Sequence, residues 1–324
     1  PAIAKVFDAG ATEHGRPFFV MELVQGIRIT DFCDKNNLSL RERLELFVHV
    51  CEGVQHAHQK AIIHRDLKPS NVLVGTVDGQ PAPKIIDFGV AKAMDHKLFD
   101  NTLTTSAGQL VGTPEYMSPE QADMSGAGID TRTDVYALGV ILYELLVGLL
   151  PFNLSKLNKS FYEVLKIIRE DEPAKPSTRA KTLAGDAQTL AEIAAHRQEE
   201  RTTLARHLQG DLDWITMKAL EKDRARRYDT VRALGNDVRR HLAFKRGAAG
   251  LPSKVYMIRM FVRGNWVGVA GGGLVGGAII LGFLGTTTGM IRARQAERLA
   301  SLEARTARQV SDFLVDIFEV ADPD

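Results

Sequence analysis

Three short clusters between residues 64 and 120 hold side chains suited to one kind of chemistry. They are His64-Arg65-Asp66-Leu67-Lys68-Pro69-Ser70-Asn71, then Asp87-Phe88-Gly89, then Gly112-Thr113-Pro114-Glu115-Tyr116-Met117-Ser118-Pro119-Glu120. That chemistry is phosphoryl transfer, whose loose, highly charged transition state needs one carboxylate to orient the attacking hydroxyl and further groups to hold metal ions against the phosphates. Asp66 suits the first task. Asn71, five positions on, and Asp87, after a run of apolar residues, can present the oxygen ligands that bridge Mg²⁺ (or Mn²⁺) to a nucleotide. Lys68 adds a point charge for the γ-phosphate. An Asp-Phe-Gly alone could follow any strand; the ordered combination is what carries the reading.

The elements around these clusters are predicted as follows. Ala2 to Phe7 and Arg16 to Val24 read as two strands around the turn-rich stretch from Asp8 to Gly15. From Leu44 the apolar positions Phe47, Val48, Cys51, Val54 and His58 recur at three and four, an amphipathic helix leading into the first cluster. Val72-Leu73-Val74 and Lys84-Ile85-Ile86 flank Asp78-Gly79, a strand pair that sets Asn71 and Asp87 at one end. Asp87 to Glu120 is a long polar stretch with Thr102, Thr104, Thr105 and Ser106, too long for a simple connection. Asp134 to Leu146 is apolar on most sides and reads as a buried helix, with Asp134 placed to cap backbone N–H groups. Residues 180–206 form a polar, Ala-rich insertion.

With these elements in place, the chain resembles the eukaryotic-type protein kinase family, and the form Leu67-Lys68-Pro69-Ser70-Asn71 resembles its serine/threonine branch. The resemblance implies an α+β, protein-kinase-like fold over 1–245: a remnant of the small-lobe sheet and hinge at 1–23, and the mostly helical large lobe at 24–245. It implies that Met21 guards the back of the nucleotide pocket. Glu22, Leu23 and Val24 would form the hinge that pairs with the adenine of ATP. The stretch from Asp87 to Glu120 would be an activation segment in which phosphorylated Thr102, Thr104 or Thr105 pairs with Arg65. Asp134 would anchor the catalytic loop, and Glu120 and Arg227 would form a buried ion pair. His64, Phe88, Gly89 and Thr113 would serve as structural or regulatory members of their motifs. Arg224 departs from the family, where proline is usual, with little consequence expected. The glycine-rich loop over the phosphates, the strand lysine and the helix glutamate of the family are expected upstream of Pro1. On that reading the chain is an N-terminally truncated fragment, weakly active or inactive by itself. Its substrates would be protein Ser/Thr hydroxyls. A catalytically silent kinase-like scaffold is the alternative, whereas a small-molecule phosphotransferase is disfavoured by Gly112 to Glu120, which resembles a peptide-substrate platform.

Composition is that of an ordinary folded chain of 324 residues with a formal net charge of +1, so no global bias toward nucleic acid exists. Arg224, Arg226, Arg227, Arg232, Arg239 and Arg240 alternate with Glu221, Asp223, Asp229 and Asp237, the pattern of a solvated face, and nucleic acid is not an expected partner. The two cysteines, Cys33 and Cys51, sit in apolar surroundings and are expected in the core. Residues 246–264 read as juxtamembrane, 265–286 as a single transmembrane helix, and 287–324 as the start of an extracytoplasmic helical region. Arg259 and Arg263 before the span and Arg292 and Arg294 after it leave orientation open by charge. The need for cytosolic nucleotide puts the first domain in the cytoplasm of a cell with a single-pass anchor. Gly268, Gly272 and Gly276 share a helical face that permits close approach, so a homodimer is possible. This order resembles bacterial receptor-type serine/threonine kinases.

Overall fold

The computed structural model describes residues 2–14, 17–88, 114–123, 128–154, 160–182 and 187–247. All of them belong to one unit, Pro1–Ala249. The expected span at 265–286 and the helical region after it lie outside the described residues. Among the described residues no helix is long and apolar enough to cross a membrane.

Two small antiparallel sheets accompany a helical body. Strands β1 (Val6–Ala11) and β2 (Pro17–Met21) form a hairpin, and β3 (Ile27–Arg28), β4 (Val72–Val77) and β5 (Gln80–Ile85) form a three-stranded sheet in that order. The first hairpin departs from expectation: β1 starts at Val6 and continues through Asp8 and Gly10, and Glu22 to Val24 are irregular. All six residues of β1 are exposed, so no buried face dictates an apolar alternation that a reader could find. The β4–β5 hairpin matches expectation and is longer. Asp78 (φ 51°) and Gly79 (φ 77°) both take left-handed backbone, the requirement of a two-residue turn whose twist suits the strands.

Helix α1 (Ile29–Lys35) leads to α2 (Leu40–His58). Ser39 starts α2 with a reciprocal cap, its hydroxyl accepting from the Glu42 N–H while the Glu42 carboxylate accepts the Ser39 N–H at 2.8 Å. Leu44, Phe47, Val48, Cys51 and Val54 are buried along one face. Helix α3 (Pro119–Ala122) is a single turn, and α4 (Arg132–Val147) runs through the centre of the body, buried on nearly every side. Gly139 of α4 is required by packing, because a Cβ there would stand 2.8 Å from Ala219 Cβ. Helices α5 (Phe161–Glu170), α6 (Pro176–Thr182), α7 (Ala187–Ala195), α8 (Arg201–Leu208), α9 (Asp211–Ala219) and α10 (Val231–Gly247) complete the described chain, with α10 packed along α2. Cys33 and Cys51 are buried and unpaired, as expected; burial pushes the Cys33 thiol up to about 11 and Cys51 higher still.

Described residues of the polar, Ala-rich segment 180–206 contribute to the core. Leu190, Ile193, Ala194 and Leu204 join the main apolar cluster. Arg197, 2% exposed, donates to the carbonyls of Leu146 (2.7 Å), Ile193 (3.0 Å) and Glu144 (3.2 Å), tying the segment to the end of α4. Arg43 of α2, also buried, donates to Leu38, Cys33 and His196 carbonyls. The shared counter-charge is Asp34, 2.8 Å from Arg43. Burial and the Arg43 guanidinium pull Arg197 down to about 9, so it stays protonated at neutral pH.

Candidate active site

The loop after α2 owes its shape to one carboxylate. Asp134, in the first turn of α4, accepts the His64 N–H at 2.8 Å on one oxygen and the Arg65 N–H at 2.9 Å on the other, and its first oxygen also meets His58 Nε2 at 2.7 Å. Arg65 is held at φ 66°, a conformation costly for a residue with a Cβ, and these bonds hold it there. Asp134 does not cap its own helix: the cap position is Thr131, without a side-chain bond. The expectation of a helix cap is thereby corrected: the carboxylate serves N–H groups of the loop at His64 and Arg65. His58 is expected from the sequence as a packing or hydrogen-bonding residue of its helix, and it does hydrogen-bond; nothing in its spacing points to a partner 76 positions away. Asp134→Asn keeps the size but leaves one acceptor oxygen for two N–H groups. We expect a loss of about 1–3 kcal/mol, the usual result of orphaning one buried donor, measured by urea titration of the full chain.

His64 is a second tie. Its Nε2 lies 2.9 Å from the Ile86 carbonyl, which can only accept, so Nε2 carries the proton and Nδ1 accepts the Asp66 N–H at 3.3 Å. Burial lowers the His64 pKa despite the nearby Asp134 carboxylate, so the ring is neutral at pH 7 and fits both bonds. Its face meets Phe88 at 4.7 Å between ring centres.

Asp66, Lys68 and Asn71 converge. Lys68 Nζ is 2.9 Å from Asp66 Oδ2. Asn71 Nδ2 donates to the Asp66 carbonyl at 2.8 Å and approaches Asp66 Oδ2 at 3.4 Å. The 3-10 turn Pro69–Asn71 delivers Asn71 to the start of β4, and Ile86 N–H donates to the Asn71 carbonyl at 2.9 Å. Asp87 follows directly, exposed and at φ 55°. Asn71 and Asp87 therefore sit on adjoining strand ends. With the Asn71 amide N–H groups directed to Asp66, its oxygen is the remaining donor atom, and Asp87 adds a carboxylate. Two hard oxygen donors fit Mg²⁺, which takes its other ligands from water and phosphates rather than from a protein cage. Among the described residues no group of three His, Cys, Asp or Glu side chains forms such a cage.

Glu22, Leu23 and Val24, expected as a hinge, follow β2. Met21 pairs with Val6, Leu23 is 85% exposed, and the Glu22 N–H donates to the Lys5 carbonyl at 2.8 Å, so the backbone atom that Glu22 could offer adenine is its carbonyl. On the other side, the 3-10 turn Pro114–Tyr116 is fixed by the Tyr116 hydroxyl, which donates to Glu144 Oε2 at 2.6 Å. Burial raises the Glu144 carboxyl and the Tyr116 hydroxyl alike. Ser118 and Gln121 cap α3 reciprocally, and the Gln121 amide nitrogen then donates to the Arg65 carbonyl at 2.7 Å, a link that no sequence motif announced. Glu120 and Arg227 meet through two bonds of 2.7 Å. The Arg224 guanidinium donates to the Gly128 carbonyl, a bond proline could not make, and the Arg224 main-chain carbonyl accepts from Arg132. Gly89, Thr102, Thr104, Thr105 and Thr113 lie outside the described residues.

Residues 1–215 match the protein kinase domain family. The serine/threonine-protein kinase PknB of Mycobacterium tuberculosis is 35% identical over 217 residues, which are 65% of this chain and 33% of that protein. The serine/threonine-protein kinase Pkn1 of Myxococcus xanthus is 43% identical over 152 residues, 47% of this chain and 21% of that protein. The chain thus spans no more than a third of the length of these relatives. Among solved structures, the kinase domain of Mycobacterium tuberculosis PknI matches 75% of this chain and 72% of its own at 22% identity, with a TM-score of 0.48.

Proposed function

The chain belongs to the protein kinase family, and on that footing we propose that it transfers the γ-phosphoryl group of ATP to serine or threonine hydroxyls of proteins. The observation that carries the proposal is the convergence of Asp66, Lys68 and Asn71 on one loop, with Asp87 on the adjoining strand end. Asp66 orients the attacking hydroxyl and takes its proton, Lys68 offsets charge on the γ-phosphate, and Asn71 and Asp87 hold Mg²⁺ (or Mn²⁺). A metal held there would supply positive charge against the phosphates. The Glu22 carbonyl and the Val24 backbone take the adenine, and Arg65 pairs with a phosphate on Thr102, Thr104 or Thr105. Phosphopeptide mapping of an active preparation with all three threonines unmodified would remove that last assignment.

The test is incubation of the full chain with γ-labelled ATP, Mg²⁺ and a generic protein substrate, followed by phosphoamino-acid analysis. Metal-dependent label on serine or threonine supports the kinase. Nucleotide binding without any transfer favours the silent scaffold.

We further propose that residues 265–286 anchor the chain in the cell membrane as a single span, with the kinase domain cytoplasmic and the complex acting in transmembrane signalling, as a homodimer through Gly268, Gly272 and Gly276. Support comes from the uncharged run between Trp266 and Gly285. Release of the full chain from membranes by alkaline carbonate would overturn the anchor.

A further inference from the structure

We propose that Lys84 is a positioning residue of the phosphoryl-transfer site: through its ion pair with Glu22 it couples the hinge to the strand end that carries Asp87. The inference rests on the kinase reading above and assigns a role to a side chain outside all three motif clusters.

Lys84 Nζ lies 2.8 and 3.0 Å from the two Glu22 carboxylate oxygens, so it is chelated rather than merely adjacent. Glu22 is itself fixed by two main-chain bonds: Oε2 accepts the Lys5 N–H at 3.1 Å, and its own N–H donates to the Lys5 carbonyl at 2.8 Å. The chain before Lys5 is in turn bonded to β5, with the Ile85 N–H donating to the Ala2 carbonyl at 2.8 Å and the Ala4 N–H to the Ile85 carbonyl at 2.9 Å. Hinge, N-terminal segment and β5 therefore form a closed set of contacts. The side chains of Lys84 and Glu22 are 22% and 30% exposed, which keeps the pair partly screened from water.

The direction of the effect follows from where the pair sits. Lys84 is three residues before Asp87, about 10 Å along an extended chain. In between, Ile85 pairs with Val72 and Ile86 bonds to Asn71, so β5 is locked in register with the strand that starts at the other metal ligand. A nucleotide bridging hinge and metals is thus gripped at two points whose separation this pair helps to set. Loosening it leaves adenine recognition intact and weakens the contribution of the metal-bound phosphates.

The experiment is a fluorescence titration of the full chain with a fluorescent ATP analogue, in Mg²⁺ and in EDTA, together with displacement by adenosine. Lys84→Met and Glu22→Gln are expected to weaken binding in Mg²⁺ about 2- to 5-fold, the range of a partly exposed ion pair, with adenosine affinity unchanged in Lys84→Met. Lys84→Arg, which keeps the charge, is expected to match the parent chain, and the reversed pair E22K/K84E to recover part of the loss. Equal weakening of adenosine and of the metal-bound nucleotide would mean a merely structural role and would overturn the proposal. Unchanged or tighter binding in Mg²⁺ by K84M and E22Q overturns it too, while leaving the kinase reading standing. If the parent chain binds no nucleotide in Mg²⁺, the kinase reading fails and takes this inference with it.

Discussion

Asp66→Asn is expected to lower phosphoryl transfer by roughly two to four orders of magnitude, the usual contribution of a positioned acid–base group, while nucleotide binding in Mg²⁺ changes little. The substitution preserves the size of the side chain, and the Asp66 carbonyl that accepts from Asn71 is untouched, so the loop keeps that support. What disappears is the charged oxygen 2.9 Å from Lys68 and the acceptor for the substrate proton. Turnover with γ-labelled ATP, set beside equilibrium binding of the nucleotide, separates the two effects. Equal transfer by the parent and D66N would place the chemistry elsewhere. A large loss of binding would instead show that the substitution disturbs the metal-holding residues, for which Asp66 is a direct neighbour through Asn71.

Arg227→Met is expected to cost about 3–5 kcal/mol of stability, the penalty of stranding one partner of a buried ion pair. Arg227 is fully buried and Glu120 10% exposed along its side chain. Besides the two bonds to Glu120, the guanidinium donates to the carbonyls of Glu221 (2.6 Å), Arg132 (3.2 Å) and Lys222 (3.1 Å), joining α3, α4 and the segment before α10 at one point. Arg227→Lys is expected to recover little, since an ammonium cannot reproduce the planar fork. The double variant E120M/R227M should lose less than R227M, because no unpaired charge remains. Acid adds a second signature. Burial alone would raise the Glu120 carboxyl, but the Arg227 bonds and the Thr133 hydroxyl outweigh it and hold the group below its ordinary value of 4.5. A depressed carboxylate contributes fully above the unfolded value and loses that contribution as pH falls through the lower folded value. His64 and Glu144 titrate in both chains, so the signature of Glu120 is the difference between them: the urea midpoints of parent and E120Q should run parallel from pH 7 to 5, and the parent's should fall more steeply below pH 4.5. Curves that stay parallel below pH 4.5 would show that Glu120 is not the group responsible.

What sequence could reveal depended on whether a residue's partners were near in the chain or announced by pattern. The catalytic loop, the turn at Asp78-Gly79 and the central helix α4 were legible because turn chemistry, unbroken apolar runs and ordered motifs are local properties. Asp134 illustrates the limit. Local reasoning made it a helix cap, whereas its oxygens serve N–H groups 69 and 70 positions earlier. Arg197 and Arg43 mark a further limit, since side chains that bond to main-chain carbonyls leave no complementary residue type to find, and the role of the polar, Ala-rich stretch stayed undisclosed for that reason. The boundaries of β1 were lost because Asp8, Ala9 and Gly10 read as turn formers, and an exposed hairpin imposes no pattern that would correct the reading. The Glu22–Lys84 pair escaped as well: one partner was assigned by its backbone and the other only by its place in a strand.

The packing of α10 along α2 has a consequence for how the chain is made. Helix α2 leaves the ribosome early, carrying Leu44, Phe47, Cys51 and Val54, and the surface that covers part of it, including Val231, Leu234 and Val238, is translated about 190 residues later. At about 5–20 residues per second that interval is on the order of 10–40 s. Throughout it the nascent chain shows an apolar helix face to the cell, and a ribosome stalled anywhere before residue 231 holds out a surface on which chaperones and proteases act.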